Sequence, residues 1–187
     1  MGTKRLAPDV VKLLKHQHSQ IRRGFVTALL PGPGQQRRFD RLRTLLAVHE
    51  AAEEAHVHPV AKKATGKAAR VIGARLAEEK SAKQLLHGLE RKRAGTPAYT
   101  AGLLRLAVAV SRHARHEERR EFPLLRRGVS TPRLRMLGAE SILTQLIAPT
   151  RAHPRVNGQL PNKLVAPVMG PVDRGRDLAM TAIRRIR

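Results

Sequence analysis

The sequence predicts an all-α protein: an antiparallel up-down four-helix bundle, a further helix, and a proline-rich C-terminal arm ending in a short helix. Apolar residues recur every three or four positions through four long segments, the pattern of amphipathic helices. Aromatic residues make up only 2% of the chain, so the core must consist of Leu, Val, Ile and Ala. No segment shows convincing strand alternation, and short breaker-rich links join successive helices, as in a bundle.

The first two helices are delimited by proline and glycine. The first is predicted to begin near Asp9 and to end at PGPG, residues 31–34. The second is predicted over about residues 36–60 and is followed by a link at 62–67. The inward apolar positions of the two helices are Val11, Leu14, Ile21, Phe25, Leu29, Leu42, Leu46, Val57 and Val60.

The third and fourth helices complete the predicted bundle. The third covers about residues 68–93 and ends at AGTP, residues 94–97, and the fourth runs from about residue 97 to 127. Their inward apolar positions are Ile72, Leu76, Leu86, Leu89, Leu103, Leu106, Val110 and Leu124. Because four such helices can enclose one core, residues 1–130 are predicted to form the bundle domain.

A C-terminal segment, residues 131–187, is predicted to pack on the bundle. Thr131 and Pro132 provide a favourable N-cap and first residue for a helix over 132–147. Residues 148–171 contain five prolines, too many for regular structure, and are predicted to form the extended arm. The last residues are predicted to form a short, basic, amphipathic helix.

Composition limits both the chemistry and the location. The chain of 187 residues has no cysteine, which excludes disulfides, thiolate chemistry and zinc sites of the Cys type. The N-terminus lacks the apolar core of a signal peptide, and no apolar run approaches the roughly 20 residues of a membrane span. We therefore expect a soluble, cytoplasmic protein. The formal charge of +23 predicts a weak, nonspecific attraction to polyanions.

Two segments share one histidine–glutamate pattern. HEAAEEAHVHP (49–59) and HARHEERREFP (113–123) each begin with His, place Glu at the fourth and fifth following positions, and end in Pro. Positions i and i+4 lie on one face of a helix. The first His and the first Glu of each segment therefore continue the inward stripe of their helix; these residues are His49, Glu53, His113 and Glu117.

The other two helices also point polar groups inward. His18 lies on the stripe of the first helix, and Glu79 and Lys83 lie on that of the third. Burying unpaired carboxylates or imidazoles is costly, so groups that converge from four helices are expected to satisfy one another, which a metal ion does best. Two facing His-x3-Glu pairs supply two imidazoles and two bridging carboxylates for a dinuclear site. A charged surface, with glutamates paired to arginines, is the alternative explanation.

The remaining histidines and the neighbouring glutamates are assigned elsewhere. The histidines expected to lie outside the site are His56, His58, His116 and His153, and His87 is left open. The second glutamate of each motif, Glu54 or Glu118, is expected to turn aside from the centre.

These motifs resemble those of the hemerythrin-like HHE cation-binding family over about residues 9–127. The similar stretches are LLKHQHSQIR, HEAAEEAHVHP and HARHEERREFPLL, and APTRAHP and DRGRD resemble the tail of a bacterial subgroup. The resemblance implies two non-haem iron ions and binding of, or reaction with, dioxygen, peroxide or nitric oxide. The implied terminal ligands are His18, His49 and His113, and the implied bridging carboxylates are Glu53 and Glu117.

The third helix departs from the family pattern. Lys80 stands where many relatives have a histidine, and a protonated lysine cannot be a ligand. Glu79 is the best substitute, with Glu78 second, and Lys83 is expected to pair with Glu79 and orient it. A carboxylate in place of an imidazole makes the site harder. This favours oxygen or peroxide activation over oxygen carriage, and it admits manganese or the loss of one metal.

Two other functions stay open from the sequence. The first is an oxygen-activating diiron enzyme with an organic substrate, which the replaced ligand of the third helix supports. The second is a basic protein that associates with nucleic acid or membrane and has a degenerate metal site. Its arginines are scattered and aromatic residues are scarce, so no recognisable nucleic-acid reader is present. The sequence does not indicate the oligomeric state.

Overall fold

Helices make up nearly all of the computed structural model, which describes residues 8–64 and 68–147. The described residues form no strand, which confirms the all-α prediction, and none of their helices is long and apolar enough to cross a membrane. The predicted arm and the short C-terminal helix lie outside the described residues. The elements are α1 (Val10–Leu29), α2 (Gln35–Ala52), the π-helical turn π1 (Glu53–Val57), α3 (His58–Ala64), α4 (Ala68–Glu90), α5 (Pro97–His116), the π-helical turn π2 (Glu117–Glu121), α6 (Phe122–Gly128) and α7 (Thr131–Ile147).

Local side-chain chemistry fixes the ends of the bundle helices. The Asp9 carboxylate accepts a hydrogen bond of 3.0 Å from the Lys12 N–H and caps α1. Gly34 precedes α2 with a φ of 82°, a left-handed conformation that glycine adopts readily. The Thr96 hydroxyl accepts a hydrogen bond of 3.2 Å from the Tyr99 N–H and caps α5. These helix ends agree with the proline- and glycine-containing links predicted from the sequence.

The helices pack as a four-helix bundle with a further helix at one side. α2, π1 and α3 form one continuous rod, as do α5, π2 and α6. α1 packs along α2, α4 packs along α5, and α1 also contacts α5. α7 lies against α1, α2 and π1. Helix α7 agrees with the helix predicted to start at Thr131 and Pro132.

The core consists of two apolar layers with a polar layer between them. The first contains Val10, Val11, Leu14, Val57, Ala61, Ile72, Phe122, Leu125, Leu134 and Leu137. The second contains Ile21, Phe25, Ala28, Phe39, Leu42, Leu86, Leu89, Tyr99, Leu103 and Leu106. Along the bundle helices, the buried polar residues that fall between these two sets are His18, His49, Glu53, Glu79, Lys83, His113 and Glu117. The polar layer is therefore covered by apolar side chains at both ends.

Most of the predicted inward positions face the core, and Leu76 is an exception. Its side chain is 38% exposed on the outer face of α4. The inward face there is occupied by Arg75 and Glu79, which are both buried. Buried polar residues thus take the inward face of α4 here, where periodicity alone predicted Leu76.

Candidate metal centre

Each His-x3-Glu pair is followed at once by a π-helical turn. π1 begins at Glu53 and π2 begins at Glu117. The N–H of His58 donates to the Glu53 carbonyl, and the N–H of Phe122 donates to the Glu117 carbonyl, five residues back instead of four. The extra residue rotates the next part of the helix by about 100°. His58 and Phe122 are therefore buried next to the glutamates.

Four imidazoles meet in the polar layer with the same orientation. Each directs Nε2 toward a buried carboxylate, while its Nδ1 contacts a further side-chain oxygen. The Nδ1 partners are Glu118 at 2.8 Å for His18, Gln17 at 3.0 Å for His49, Glu121 at 3.0 Å for His58 and Glu78 at 3.3 Å for His113. Metal-ligating histidines have this arrangement, since the outer partner fixes the ring and leaves the other nitrogen for the metal.

Carboxylates from three helices face these Nε2 atoms. The Nε2–oxygen distances are 3.2 Å from His18 to Glu117, 3.3 Å from His49 to Glu53, 2.5 Å from His58 to Glu79 and 3.3 Å from His113 to Glu117. His113 Nε2 also lies 3.8 Å from Glu79 Oε1. The rod formed by α2, π1 and α3 contributes two imidazoles to this cluster, His49 before its π-turn and His58 after it.

Two groups of possible ligands share Glu53 and Glu117. The first is His18, His49, Glu53 and Glu117, and the second is Glu53, His58, Glu79 and Glu117; in each, one ligand atom per residue lies within 4.8 Å of the others. His113 adjoins the second group through Glu79 and Glu117. Two carboxylates shared between two histidine-containing groups could hold metal ions on either side.

The buried polar atoms at this centre fit a bound cation. Nε2 of His18 and of His113, Oε1 of Glu53 and both carboxylate oxygens of Glu117 are buried without a hydrogen bond to the described residues. Each such atom costs about 1–3 kcal/mol when it stays unpaired. Atoms that ligate one ion at about 2.1 Å stand about 3 Å apart at right angles. The Nε2–oxygen distances of 3.2 and 3.3 Å agree with that spacing.

The two shared carboxylates differ in charge. Burial raises the pKa of Glu53 well above its usual value, and the neighbouring Glu117 adds to this effect. Burial also opposes the ionisation of Glu117, but His113 and His18 outweigh it and hold the pKa of Glu117 well below its usual value. Without a metal, Glu117 is therefore ionised while Glu53 retains its proton to higher pH.

The imidazoles also differ in charge. Burial lowers the pKa of His49 well below its usual value, and His18 adds to this effect. Burial acts in the same direction on His58, but Glu79 outweighs it, together with the hydrogen bond to Glu121, and the pKa of His58 lies well above its usual value. The pKa of His113 is likewise raised, against burial, mainly by Glu117. A metal ion must displace these protons.

Eight of the ten glutamates of the chain lie at or next to this centre. They are Glu50, Glu53, Glu54, Glu78, Glu79, Glu117, Glu118 and Glu121. Because the acidic side chains are concentrated here, lysines and arginines dominate the outer faces of the described helices.

Sequence comparison decides the family. The profile of the hemerythrin HHE cation binding domain matches residues 9–125, from α1 to α6. The chain belongs to the hemerythrin HHE cation-binding family. A similar solved structure is a hemerythrin HHE cation binding domain-containing protein from Mycobacterium kansasii, with a TM-score of 0.66 and 22% identity over 74% of this chain and 86% of that chain. This likeness shows the fold. No curated protein matches the chain.

The structure brings the six predicted ligands of this HHE domain together. They are His18, His49, Glu53, Glu79, His113 and Glu117, and none is more than 7% exposed. Lys80, where the sequence resemblance led us to expect the family histidine, is exposed on the outer face of α4. The adjacent Glu79 takes the inward position instead. Glu78 contacts His113 and His116 through its carboxylate, and these hydrogen bonds outweigh burial and lower the pKa of Glu78 to about 2.

The prediction that His58 lies outside the site was wrong. His58 is 4% exposed and belongs to the second ligand group. An uninterrupted α-helix would have turned it away from the centre, and π1 brings it in. The sequence signal was the proline that ends both motifs, because Pro59 and Pro123 each follow the last residue whose N–H closes a π-turn. A proline inside a helix cannot donate to the carbonyl four residues back, so it favours such a disruption.

Glu54 and Glu118 lie outside the two ligand groups, as predicted, but both have partners beside the centre. Glu54 is 2% exposed, and its Oε1 accepts a hydrogen bond of 2.8 Å from Lys83 Nζ. Glu118 contacts Nδ1 of His18 and also pairs with Arg22. The predicted partner of Lys83 was Glu79, but its ammonium lies 2.8 Å from Glu50 and 2.8 Å from Glu54. These carboxylates outweigh burial and raise the pKa of Lys83 to about 12.

A cavity of about 50 Å³ lies beside the centre, between α2, α4 and α5. Five apolar side chains line it together with the polar groups of the centre. The apolar ones are Leu46, Ala82, Leu86, Leu106 and Val110, and the polar ones are His49, Glu50, Glu53, Glu79, Lys83 and His113. A small molecule in this cavity would touch both ligand groups.

We expect metal affinity to increase between about pH 7 and about pH 8.5, because metal binding displaces protons. Because the pKa values of His58, His113 and Glu53 are raised, these groups hold protons that stabilise the metal-free fold at low pH. This contribution is lost as pH rises through the raised pKa values. The His49 pKa is lowered, so that residue is neutral over this range. The increase in melting temperature caused by Zn²⁺, which has no redox chemistry, should therefore be larger at the higher pH. An increase that is independent of pH would contradict this expectation.

Proposed function

We propose that this HHE domain is a non-haem diiron protein that binds or reacts with dioxygen, peroxide or nitric oxide. The observation that supports this most is the pair of buried ligand groups that share Glu53 and Glu117. An acidic cluster formed only by surface charge would not present four imidazoles with Nε2 inward and Nδ1 held from outside. The donor set has nitrogen and oxygen without sulfur, which suits iron or manganese.

The residues divide into three roles in this proposal. Glu53 and Glu117 would bridge the two ions. The terminal ligands would be His18 and His49 for the first ion and His58, Glu79 and His113 for the second. The outer oxygens of Gln17, Glu78, Glu118 and Glu121 would hold the imidazole rings in place. Bound iron would supply reversible electron transfer with a small ligand.

The size of the cavity favours a small ligand over an organic substrate. A cavity that holds one water molecule has a volume of about 10–15 Å³, whereas pockets for drug-sized molecules have about 300–1,000 Å³. The cavity of about 50 Å³ is therefore of the size for dioxygen, nitric oxide or peroxide. Its apolar walls also favour uncharged ligands over hydrated ions. The oxygen-activating enzyme with an organic substrate is accordingly the less favoured proposal, and attraction to polyanions stays a prediction from charge alone.

Iron analysis of anaerobically reconstituted protein tests the proposal. We expect about two ferrous ions per chain, because two ligand groups are present. Nitric oxide should change the absorption spectrum of this form, and the Zn²⁺-loaded protein is the control because it lacks redox chemistry. Less than one iron per chain, or spectra that nitric oxide leaves unchanged, would contradict the proposal. Oxygen consumption that required an added organic compound would favour the enzyme instead.

A further inference from the structure

A third group of carboxylates lies next to the two ligand groups. Glu50, Glu54 and Glu79 each place an oxygen within 4.8 Å of the others. Glu54 and Glu79 are buried, and Glu50 is mostly covered, with 16% of its side chain exposed. Three carboxylate oxygens at this spacing are a donor set for a hard divalent cation such as Mn²⁺ or Mg²⁺.

This third group already holds a cation, the ammonium of Lys83. Its Nζ lies 2.8 Å from Glu50 Oε1 and 2.8 Å from Glu54 Oε1, and its side chain is 5% exposed. A buried ammonium in such a position needs several carboxylates, and buried carboxylates need a cation. Glu79 Oε2 is buried and makes no hydrogen bond to the described residues. The third group is thus built around a positive charge and still has an unpaired oxygen.

Glu79 joins the third group to the metal centre. Its Oε1 pairs with His58 in the second ligand group, and the same side chain completes the set with Glu50 and Glu54. A divalent ion in the third group would share Glu79 with the ion at His58, so both ions could be bound at once.

We infer that Lys83 is a built-in cation that closes a third metal position, and thereby limits the bundle to two metal ions. The number of two metal ions rests on the proposed function. The expected difference in bound ions between the protein and its Lys83 variants does not. Neutralising Lys83 removes the ammonium that pairs with Glu50 and Glu54, next to Glu79. A hard divalent ion then replaces the ammonium.

Counting bound Mn²⁺ tests this inference, because the electron paramagnetic resonance signal of aqueous Mn²⁺ disappears when the ion binds. With iron-loaded protein, Lys83→Met should bind one additional Mn²⁺ per chain, while the unchanged protein and Lys83→Arg should bind none. The double variant Lys83→Met with Glu50→Gln should lose the additional ion, because one of the three oxygens is removed. Circular dichroism checks that each variant keeps its helices.

A folded Lys83→Met variant that binds no additional Mn²⁺ overturns the inference. If the unchanged protein takes up no iron, the proposed function fails, and the inference is still decided by the difference in Mn²⁺ between Lys83→Met and Lys83→Arg. Should Lys83→Met and Lys83→Gln both lose their helical signal, Mn²⁺ must restore it, because the ion replaces the missing charge. No recovery with Mn²⁺ would also overturn the inference.

Discussion

Replacing Glu53 by Gln should remove both metal ions and not one. Glu53 belongs to both ligand groups, and an amide retains its shape but lacks the charge that a bridging ligand needs. Two sites at a metal concentration of 100 times Kd would stabilise the native protein by about 5 kcal/mol, which is about 10–20 °C in Tm for a chain of this size. We expect the metal-induced increase in Tm to fall from this range to near zero in Glu53→Gln, with bound metal below half an equivalent per chain.

Glu140→Gln is the matched control for this experiment. Glu140 is a half-buried glutamate on α7 that pairs with Arg133 and His56, outside the ligand groups. It should bind two ions and keep the full increase in Tm. If Glu53→Gln retained one tightly bound ion, Glu53 would serve a single metal, and the bridging role would be wrong.

Replacing His58 by Gln should reduce the bound metal from two ions to one. His58 is one of the two imidazoles proposed for the second ion, with His113, and it belongs to the ligand group of Glu53, Glu79 and Glu117. Losing an outer hydrogen-bond partner of a ligand typically costs 10–100-fold in affinity, and losing the ligand itself should cost more than about 100-fold. The first group keeps His18 and His49, so its ion should remain. Isothermal titration with Zn²⁺ measures both steps.

Two comparisons make this experiment selective. His56→Gln changes the neighbouring histidine, which contacts Thr144 and Glu140 of α7, and it should leave both ions bound. Lys80→His introduces the histidine that many relatives have, but on the outer face of α4, so it should neither add an ion nor rescue His58→Gln. Rescue by Lys80→His would show that α4 can rotate toward the family arrangement and that His58 is not needed.

Much of the centre followed from helical periodicity. The stripes of three and four that placed Val11 and Leu14 inward also passed through His18, and the same reasoning brought in His49, Glu53, His113 and Glu117. The last four precede or begin the π-turns, before the helical register shifts. Glu79 could be placed because it lies on the inward stripe of the third helix, next to Lys80.

Periodicity failed where the helix itself changed. After Glu53 and Glu117 the extra residue of a π-turn shifts the inward pattern by one position. His58 and Phe122 therefore face inward, and Phe122 belongs to the first apolar layer. His18 stacks on Phe122 with ring centroids 5.8 Å apart, a contact between the first and fourth bundle helices. A hydrophobic pattern with a fixed period cannot anticipate such a shift.

The sequence by itself determined the helices, the family and the inward His-x3-Glu pairs, because these depend on residues within one or two turns of each other. Only the tertiary structure decided which oxygen holds each Nδ1 and which carboxylates pair with Lys83. These contacts join helices that are far apart in sequence: Gln17 with His49, His58 with Glu121, and Glu54 with Lys83. Their partners are set by how the helices pack, since a buried charge pairs with whichever opposite charge the packing brings near.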